Sequence, residues 1–234
     1  MASAVSYVSS PVPAFLFDLD GTLIDSVYQH VIAWRSALSA IGIDLSVWRI
    51  HRRIGMSGGL FVSALLRETG RSLSTADIDR LQRAHAAEYQ ARMDSVTALP
   101  GARDLLGFLT DAGVRWAIAT SGYAATARPA LALLGLPEDA PMVTRDLVRH
   151  AKPDPDLFLA AAAVLGVEPR HAMVVGDSVW DLLAARRAGA LGVGLMSGGY
   201  GREELERAGA YRVYADPAEM LARVDELGVR TGPG

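Results

Sequence analysis

The sequence predicts an α/β fold, in which a doubly wound parallel sheet carries a bundle of helices inserted after its first strand. From residue 100 onwards, short apolar segments alternate with segments of helical periodicity. This alternation is typical of parallel strands joined by right-handed helical crossovers. Between residues 26 and 93 the periodicity is helical, with glycines at the breaks, and no strand pattern interrupts it.

The first predicted strand begins the segment 15–25, which reads Phe-Leu-Phe-Asp-Leu-Asp-Gly-Thr-Leu-Ile-Asp. Its apolar run ends in Asp18 and Asp20, and both carboxylates can leave the strand end on one face because strand side chains alternate with a period of two. Neighbouring carboxylates repel each other unless a cation or a shared proton relieves them, and hard oxygen ligands suit magnesium. A bare pair of this kind is equally typical of a solvated turn.

Four helices are predicted in the inserted block, at residues 26–41, 45–54, 60–69 and 75–93. Their apolar residues recur at spacings of three and four, as in amphipathic helices that pack together. Ser74 is a candidate N-cap of the last helix. We interpret Trp34, Trp48 and His85 as core or surface residues of these helices rather than as ligands.

Residues 99–101, Leu-Pro-Gly, mark the return to the sheet. Strands are predicted at residues 114–119, 141–143, 172–175, 190–195 and 211–213. Helices are predicted at residues 102–112, 124–134, 154–165, 179–188, 202–208 and 217–227. Ligands of open α/β sheets bind at the carboxyl ends of the strands. Asp18, Thr120 and Asp177 each follow a predicted strand, so we expect them to converge on one edge.

Composition narrows the classes of function. A chain of 234 residues, half of them apolar, suits one large domain or a core with a smaller insertion. The net charge of −3 and the lack of a basic run make nucleic acid an unexpected partner, and the lack of cysteine excludes a disulfide scaffold or a thiol nucleophile. Residues 1–13 suggest a loose tail rather than a secretory signal. No apolar span suits a membrane helix, so we expect a soluble cytoplasmic protein.

The predicted edge contains the groups that phosphoryl transfer requires. Asp18 is a candidate nucleophile that would form an aspartyl-phosphate. Asp20 is placed to protonate the leaving oxygen and later to activate water. Asp18 and Asp177 would hold Mg²⁺, which offsets the repulsion between the nucleophile and the phosphate. Phosphate oxygens would be bound by the hydroxyl of Thr120 and by the backbone amides of the following residues, Ser121 and Gly122.

Lys152 is the one lysine of the chain, whereas the other cations are arginines. An ammonium is a compact point charge that a forked guanidinium does not replace in a crowded site, so its survival here favours a catalytic role over a surface position. Asp177 and Asp181 lie four residues apart at the start of a predicted helix and share one face. Alone, they are typical of helix capping. After a strand and opposite Asp18, they indicate a metal ligand and a supporting carboxylate.

Together these residues resemble the four motifs of the haloacid dehalogenase superfamily. Residues 18–22 resemble the first motif, Thr120 the second, Lys152 the third, and residues 176–178 with Asp181 the fourth, in matching order across residues 14–200. The resemblance implies a Rossmann-like catalytic core at residues 1–24 and 96–234, with an inserted α-helical cap domain at residues 25–95.

The resemblance also implies roles for individual residues. Mg²⁺ would be bound by Asp18, by the backbone carbonyl oxygen of Asp20 and by Asp177. Lys152 would stabilise the phosphorylated intermediate, and Asp181 would orient it. True haloacid dehalogenases lack an acidic residue at the position of Asp20, so its presence favours phosphate ester chemistry. Phosphonoacetaldehyde hydrolases use a lysine in the cap, which this chain lacks.

Two activities remain open within the family: a phosphatase of small phosphorylated metabolites, and a sugar phosphomutase of the β-phosphoglucomutase type. The mutase branch usually carries a cap arginine for the second phosphate, together with a cap lysine or histidine. Arg52 and Arg53, with His51, precede Gly55 and are candidates for phosphate binding, although they are equally typical of a solvated helix face. The lack of a cap lysine favours the phosphatase.

A non-catalytic binding module is the third hypothesis, but such a protein would be expected to have lost a nucleophile or a metal ligand. The substrate could be phosphoglycolate, a sugar phosphate or a nucleotide monophosphate, because the cap decides which group reaches Asp18. The oligomeric state is open between a monomer and a homodimer. We interpret the glycine-rich residues 198–201 as a loop at the mouth of the site rather than a nucleotide-binding loop.

Overall fold

The computed structural model describes residues 13–70 and 72–229. The strands in this part of the chain are β1 Ala14–Phe17, β2 Ile24–Asp25, β3 Thr97–Ala98, β4 Trp116–Ala119, β5 Met142–Val143, β6 Ala172–Gly176, β7 Leu191–Leu195 and β8 Ala210–Tyr214. Six of them form a parallel sheet in the order β5-β4-β1-β6-β7-β8. The tail predicted at residues 1–13 falls, apart from Pro13, outside the described residues.

Helices cover both faces of this sheet, as the predicted doubly wound architecture requires. They are α1 Val27–Ser39, α2 Val47–His51, α3 Gly58–Thr69, α4 Thr75–Gln90, α5 Ala102–Asp111, α6 Ala124–Leu133, α7 Asp156–Val164, α8 Val179–Ala188, α9 Arg202–Ala208 and α10 Pro217–Ala222. In β1, Phe15 and Phe17 enter one core cluster, while Ala14 and Leu16 enter the cluster on the opposite face. This alternation buries β1 on both sides and confirms the predicted α/β fold.

The helices α1 to α4 form the inserted block and share an apolar core of their own, which includes Trp34, Leu38, Phe61, Leu65 and Leu81. The hydroxyl of Ser74 accepts a hydrogen bond from the Asp77 amide, so the predicted N-cap is confirmed. β2 and β3, which were not predicted, pair antiparallel where the chain leaves and re-enters the sheet domain. The exact boundaries at residues 24/25 and 95/96 stay a prediction.

The observed helices differ from the predicted ones mainly at their ends. The helix predicted at residues 45–54 is reduced to α2, and the one predicted at 217–227 ends as α10 and continues as a 3₁₀ turn at Val224–Leu227. Pro129 lies inside α6 rather than in its first turn. Among the described residues, no helix combines the length and the apolar character that crossing a membrane requires.

Candidate active site

The carboxyl ends of neighbouring strands bring the predicted site residues together. Asp18 follows β1, Thr120 follows β4 and Asp177 follows β6, and β1 lies between the other two strands in the sheet. Lys152 precedes α7, and Asp181 lies in the first turn of α8. In a parallel sheet the carboxyl ends of all strands lie at the same edge, which explains why residues far apart in sequence meet here.

The centre of the site is a buried cluster of carboxylates around one ammonium. Asp18, Asp177 and Asp181 each offer an oxygen within 4.8 Å of the others. Lys152 is 0% exposed, and its Nζ donates a hydrogen bond to Asp18 Oδ1. The same nitrogen lies 2.8 Å from Asp181 Oδ1, an ion pair without the alignment of a hydrogen bond. Three carboxylates therefore face one cation.

Burial, together with this excess of negative charge, shifts the pKa values of the cluster. Burial raises the pKa of Asp18 to about 7, and the charges of Asp181 and Asp20 add to this rise, against the lowering effect of Lys152. Burial and the charges of Asp181 and Asp18 raise the pKa of Asp177 well above its ordinary value. Burial would lower the pKa of Lys152, but Asp18 and Asp181 hold it above the ordinary value, so Lys152 stays charged.

A divalent cation fits this cluster. The three carboxylates are buried and are the hard oxygen donors that such an ion prefers. The backbone leaves room for the carboxylate of Asp177 only because its neighbours are glycines. A Cβ on Gly198 would lie 1.7 Å from Asp177 Oδ2, and one on Gly21 would lie 2.7 Å from the same oxygen. Ligation by the Asp20 carbonyl oxygen stays a prediction.

Asp181 caps α8 and also borders the carboxylate cluster, while its role as a supporting carboxylate stays a prediction. Its Oδ2 accepts hydrogen bonds from the amide of Ser178 at 3.1 Å and from the hydroxyl of Ser178 at 2.5 Å, which forms a capping box at the start of α8. Its Oδ1 faces Lys152. Helix capping therefore fixes the carboxylate in the orientation that presents its other oxygen to the cluster.

Asp20 lies beside the cluster and opens to a cleft between the sheet edge and the inserted helices. Its Oδ1 accepts a hydrogen bond from the Ser26 hydroxyl at 2.6 Å and lies 3.2 Å from His30 Nε2. Burial would raise the pKa of Asp20, but the charge of His30 and the hydrogen bonds from His30 and Ser26 hold it below its ordinary value. His30 is not among the predicted site residues, although its place in the first turn of the helix after Asp20 is a usable signal.

In the loop after β4, one of the backbone amides that were predicted to bind phosphate, that of Gly122, is engaged within the loop. Thr120 Oγ1 accepts a hydrogen bond from the Gly122 amide at 3.0 Å, so the threonine proton can point elsewhere. The amide of Gly122 is thereby used within the loop. The Ser121 hydroxyl donates to the carbonyl oxygen of Gly55 at 3.1 Å and so connects the loop to the inserted block. All three residues line the cleft.

The cleft has a volume of about 120 Å³, and the inserted helices contribute much of its wall. Trp34 stacks between Phe61, at a centroid distance of 4.2 Å, and His85, at 4.0 Å. His85 Nε2 lies 3.1 Å from His30 Nδ1, and the His30 ring stacks on Tyr89 at 3.8 Å. The interpretation of Trp34 and His85 as core or surface residues is therefore incomplete, because both also line the cleft. Trp48, in contrast, is 63% exposed at the surface.

The two arginines predicted to bind phosphate lie in different places. Arg53 lines the cleft, where its guanidinium donates hydrogen bonds to Glu68 and to the Arg49 carbonyl oxygen. Arg52 is not among the cleft-lining residues and forms an ion pair with Glu204. In the structure Arg52 is therefore engaged outside the cleft, and its role in binding phosphate stays a prediction.

Comparisons with known proteins agree with this architecture. The family model of haloacid dehalogenase-like hydrolases matches residues 12–189. Hexitol phosphatase A of Escherichia coli (strain K12) is 36% identical over 181 residues, which are 75% of this chain and 79% of that protein. Phosphoglycolate phosphatase of Rhodospirillum rubrum is 33% identical over 214 residues, which are 88% of each chain.

A crystal structure of a hydrolase from Pseudomonas syringae is similar over nearly the whole length. It shares 53% sequence identity and a TM-score of 0.90, and the match covers 92% of this chain and 98% of that one. The family match spans more than half of the chain and includes Asp18, Thr120, Lys152 and Asp177. The chain therefore belongs to the haloacid dehalogenase-like hydrolases.

Proposed function

We propose that this protein is a magnesium-dependent phosphatase that hydrolyses phosphate monoesters of small metabolites through an aspartyl-phosphate at Asp18. The observation that carries the proposal is the contact of Lys152 with Asp18 inside the carboxylate cluster, directly beside a cleft that also contains Asp20. A nucleophile, a fixed cation and an acid–base group are thus grouped where a phosphate ester can enter.

In the first half-reaction, a carboxylate oxygen of Asp18 attacks the phosphorus atom and the bond to the ester oxygen breaks. Asp20, in the protonated form that this step requires, gives its proton to the leaving oxygen, so an alcohol departs. In the second half-reaction, water attacks the phosphorus atom while Asp20 takes the water proton. The bond to Asp18 then breaks, and inorganic phosphate and the carboxylate are released.

The remaining residues hold the phosphate and its charge. Lys152 places a buried ammonium beside the nucleophile, and the Thr120 hydroxyl has its proton available for a phosphate oxygen because it accepts from Gly122. Asp18 and Asp177 would hold Mg²⁺. When bound, this ion offsets the repulsion between the nucleophile and the anionic phosphate.

The charges around the cleft favour an uncharged leaving group, such as a sugar or a polyol. Lys152 is paired with Asp18 and Asp181, and Arg53 is paired with Glu68. A leaving group with its own carboxylate or second phosphate would need a cation that is not already neutralised. The same reasoning favours water over a sugar phosphate as the acceptor, and so favours the phosphatase over the mutase.

The test measures phosphate release from a panel that pairs hexitol and sugar monophosphates with phosphoglycolate, with Mg²⁺ and with chelator. We expect magnesium-dependent release that is lost in Asp18→Asn, and kcat/KM values at least about tenfold higher for the polyol and sugar esters, which corresponds to about 1.4 kcal/mol. Turnover that survives in Asp18→Asn would refute the nucleophile. A preference for phosphoglycolate would refute the uncharged leaving group.

A further inference from the structure

The cap segment of residues 52–57 forms one wall of the cleft and is attached to the sheet domain at several points. Four successive residues of this segment, Arg53 to Met56, line the cleft. The carbonyl oxygen of Gly55 accepts from the Ser121 hydroxyl at 3.1 Å, and the amide of Ser57 donates to the Lys152 carbonyl oxygen at 3.3 Å. Residues 55 and 57 are therefore hydrogen-bonded to the loops that contain Thr120 and Lys152.

Arg52 supplies the attachment at the other end of this segment. Its carbonyl oxygen accepts two hydrogen bonds, from the indole Nε1 of Trp180 at 3.2 Å and from the hydroxyl of Tyr200 at 2.9 Å. Its guanidinium lies 4.2 Å from the centroid of the Tyr200 ring and donates hydrogen bonds to both carboxylate oxygens of Glu204. Main chain and side chain of Arg52 are thus both held by the sheet domain.

The elements that hold Arg52 also belong to the site. Trp180 lies in α8 between Asp177, which follows β6, and Asp181. Tyr200 is 4% exposed and lies two residues after Gly198, which makes room for Asp177. Glu204 also accepts a hydrogen bond from the Gly201 amide at 2.9 Å, which caps α9 and fixes its carboxylate. The position of the cleft wall is therefore set by the same segments that position the carboxylate cluster.

We propose that Arg52 is a positioning residue, which holds residues 53–56 against the sheet domain through Glu204 and Tyr200 without contacting the substrate. The inference rests on the proposed function only where turnover is the readout. Because the chain is continuous from Arg52 to Gly55, loss of the ion pair weakens the attachment of one end of the wall, which is then held through the Arg52 carbonyl oxygen. The leaving group then loses contacts with the wall, while Asp18 and Lys152 keep their arrangement.

The experiment compares Glu204→Gln, Arg52→Gln and the double variant with Glu203→Gln as the matched control. Glu203 is adjacent on the same helix, but its partner Arg207 lies at the surface and both side chains are 80% exposed. Glutamine at position 204 retains an acceptor for the Gly201 amide, so α9 keeps its cap. Each variant is measured for kcat, KM and amide hydrogen exchange at residues 53–57, with no metal needed for the exchange.

We expect Glu204→Gln and Arg52→Gln to raise KM about three- to tenfold, with kcat within about twofold of the original, because an exposed ion pair and a stacked guanidinium are each worth a modest energy. Amide hydrogen exchange at residues 53–57 should be faster in both single variants than in the original protein. The KM and the exchange rate of the double variant should not exceed those of the more affected single variant, since both substitutions remove the ion pair between Arg52 and Glu204. Glu203→Gln should change neither KM nor the rate of amide hydrogen exchange.

Unchanged KM and unchanged exchange in both single variants would overturn the proposal, as would effects that add in the double variant. A large fall in kcat with KM unchanged would also overturn it, because Arg52 would then contact the reacting phosphate. If the original protein releases no phosphate from any ester, the proposed function fails. The exchange measurement still decides the role of Arg52 in that case.

Discussion

Replacing Asp18 with asparagine is expected to stabilise the metal-free protein while it abolishes turnover. The carboxylate is buried in a cluster with Asp177 and Asp181, and burial raises its pKa from the ordinary 3.8 to about 7. Between these two pH values the folded state binds a proton that the unfolded state has released. Stability therefore falls as the pH rises through this window, and the ionised Asp18 destabilises the fold at higher pH.

The size of the effect follows from the displacement of the Asp18 pKa. A displacement from 3.8 to about 7 corresponds to about 4 kcal/mol, at roughly 1.4 kcal/mol for each pH unit. This displacement already includes the attraction between Asp18 and Lys152, so that contact is not subtracted again. The gain at pH 8 is therefore at most about 4 kcal/mol, equivalent to a rise in Tm of at most about 8–16 °C for a chain of this size.

Thermal unfolding in the presence of chelator, at about pH 8 and about pH 4.5, measures this gain. The variant should unfold at the higher temperature at the higher pH, and the difference should shrink at the lower pH, where Asp18 is protonated when folded. Mg²⁺ should raise the Tm of the original protein more than that of the variant. Asp25→Asn, at an exposed position, serves as the control. A variant less stable than the original at the higher pH would show that the pairing with Lys152 outweighs the repulsion among the carboxylates.

Three further substitutions probe the site. Lys152→Arg should lower kcat at least about 100-fold, because the side chain is 0% exposed and a guanidinium has no room there; steady-state kinetics with near-normal kcat would refute this. His30→Gln should slow alkyl phosphates more than p-nitrophenyl phosphate, because the weakened support of Asp20 matters most when the leaving group needs a proton. Equal losses on both substrates would contradict that role. Gly198→Ala should raise the Mg²⁺ concentration for half-maximal activity, since its Cβ would lie 1.7 Å from Asp177 Oδ2, and an unchanged magnesium titration would count against it.

The residues at the strand ends could be predicted because the rule that places them is local and topological. A strand such as β6 ends in Gly176, and the next residue, Asp177, must lie at the edge of the sheet wherever the helices pack. Lys152 was found for a different reason: its uniqueness in an arginine-rich chain is visible in composition. Both residues could therefore be found without knowing how distant side chains pack.

The cap residues could not be assigned in this way because their roles depend on direction rather than on position along the chain. Arg52 and Arg53 are adjacent, yet one pairs with Glu204 of the sheet domain and the other faces the cleft beside Glu68. Which of the two points inwards is set by a short turn between α2 and α3. His30 was missed for a related reason, since its partners Asp20 and His85 come from separate elements.

Trp34 shows why the cleft and the stability of the cap cannot be changed independently. Its ring is 5% exposed and is enclosed by Phe61 and His85, so the same side chain fills the core of the inserted helices and borders the cleft. Truncating a buried tryptophan costs about 3–5 kcal/mol, a large share of the stability of an ordinary domain. Met56 and Gln82 also line the cleft but are only partly buried. Substitutions at Met56 and Gln82 are therefore better suited to changing the preferred leaving group than substitutions of Trp34 and the aromatic residues around it.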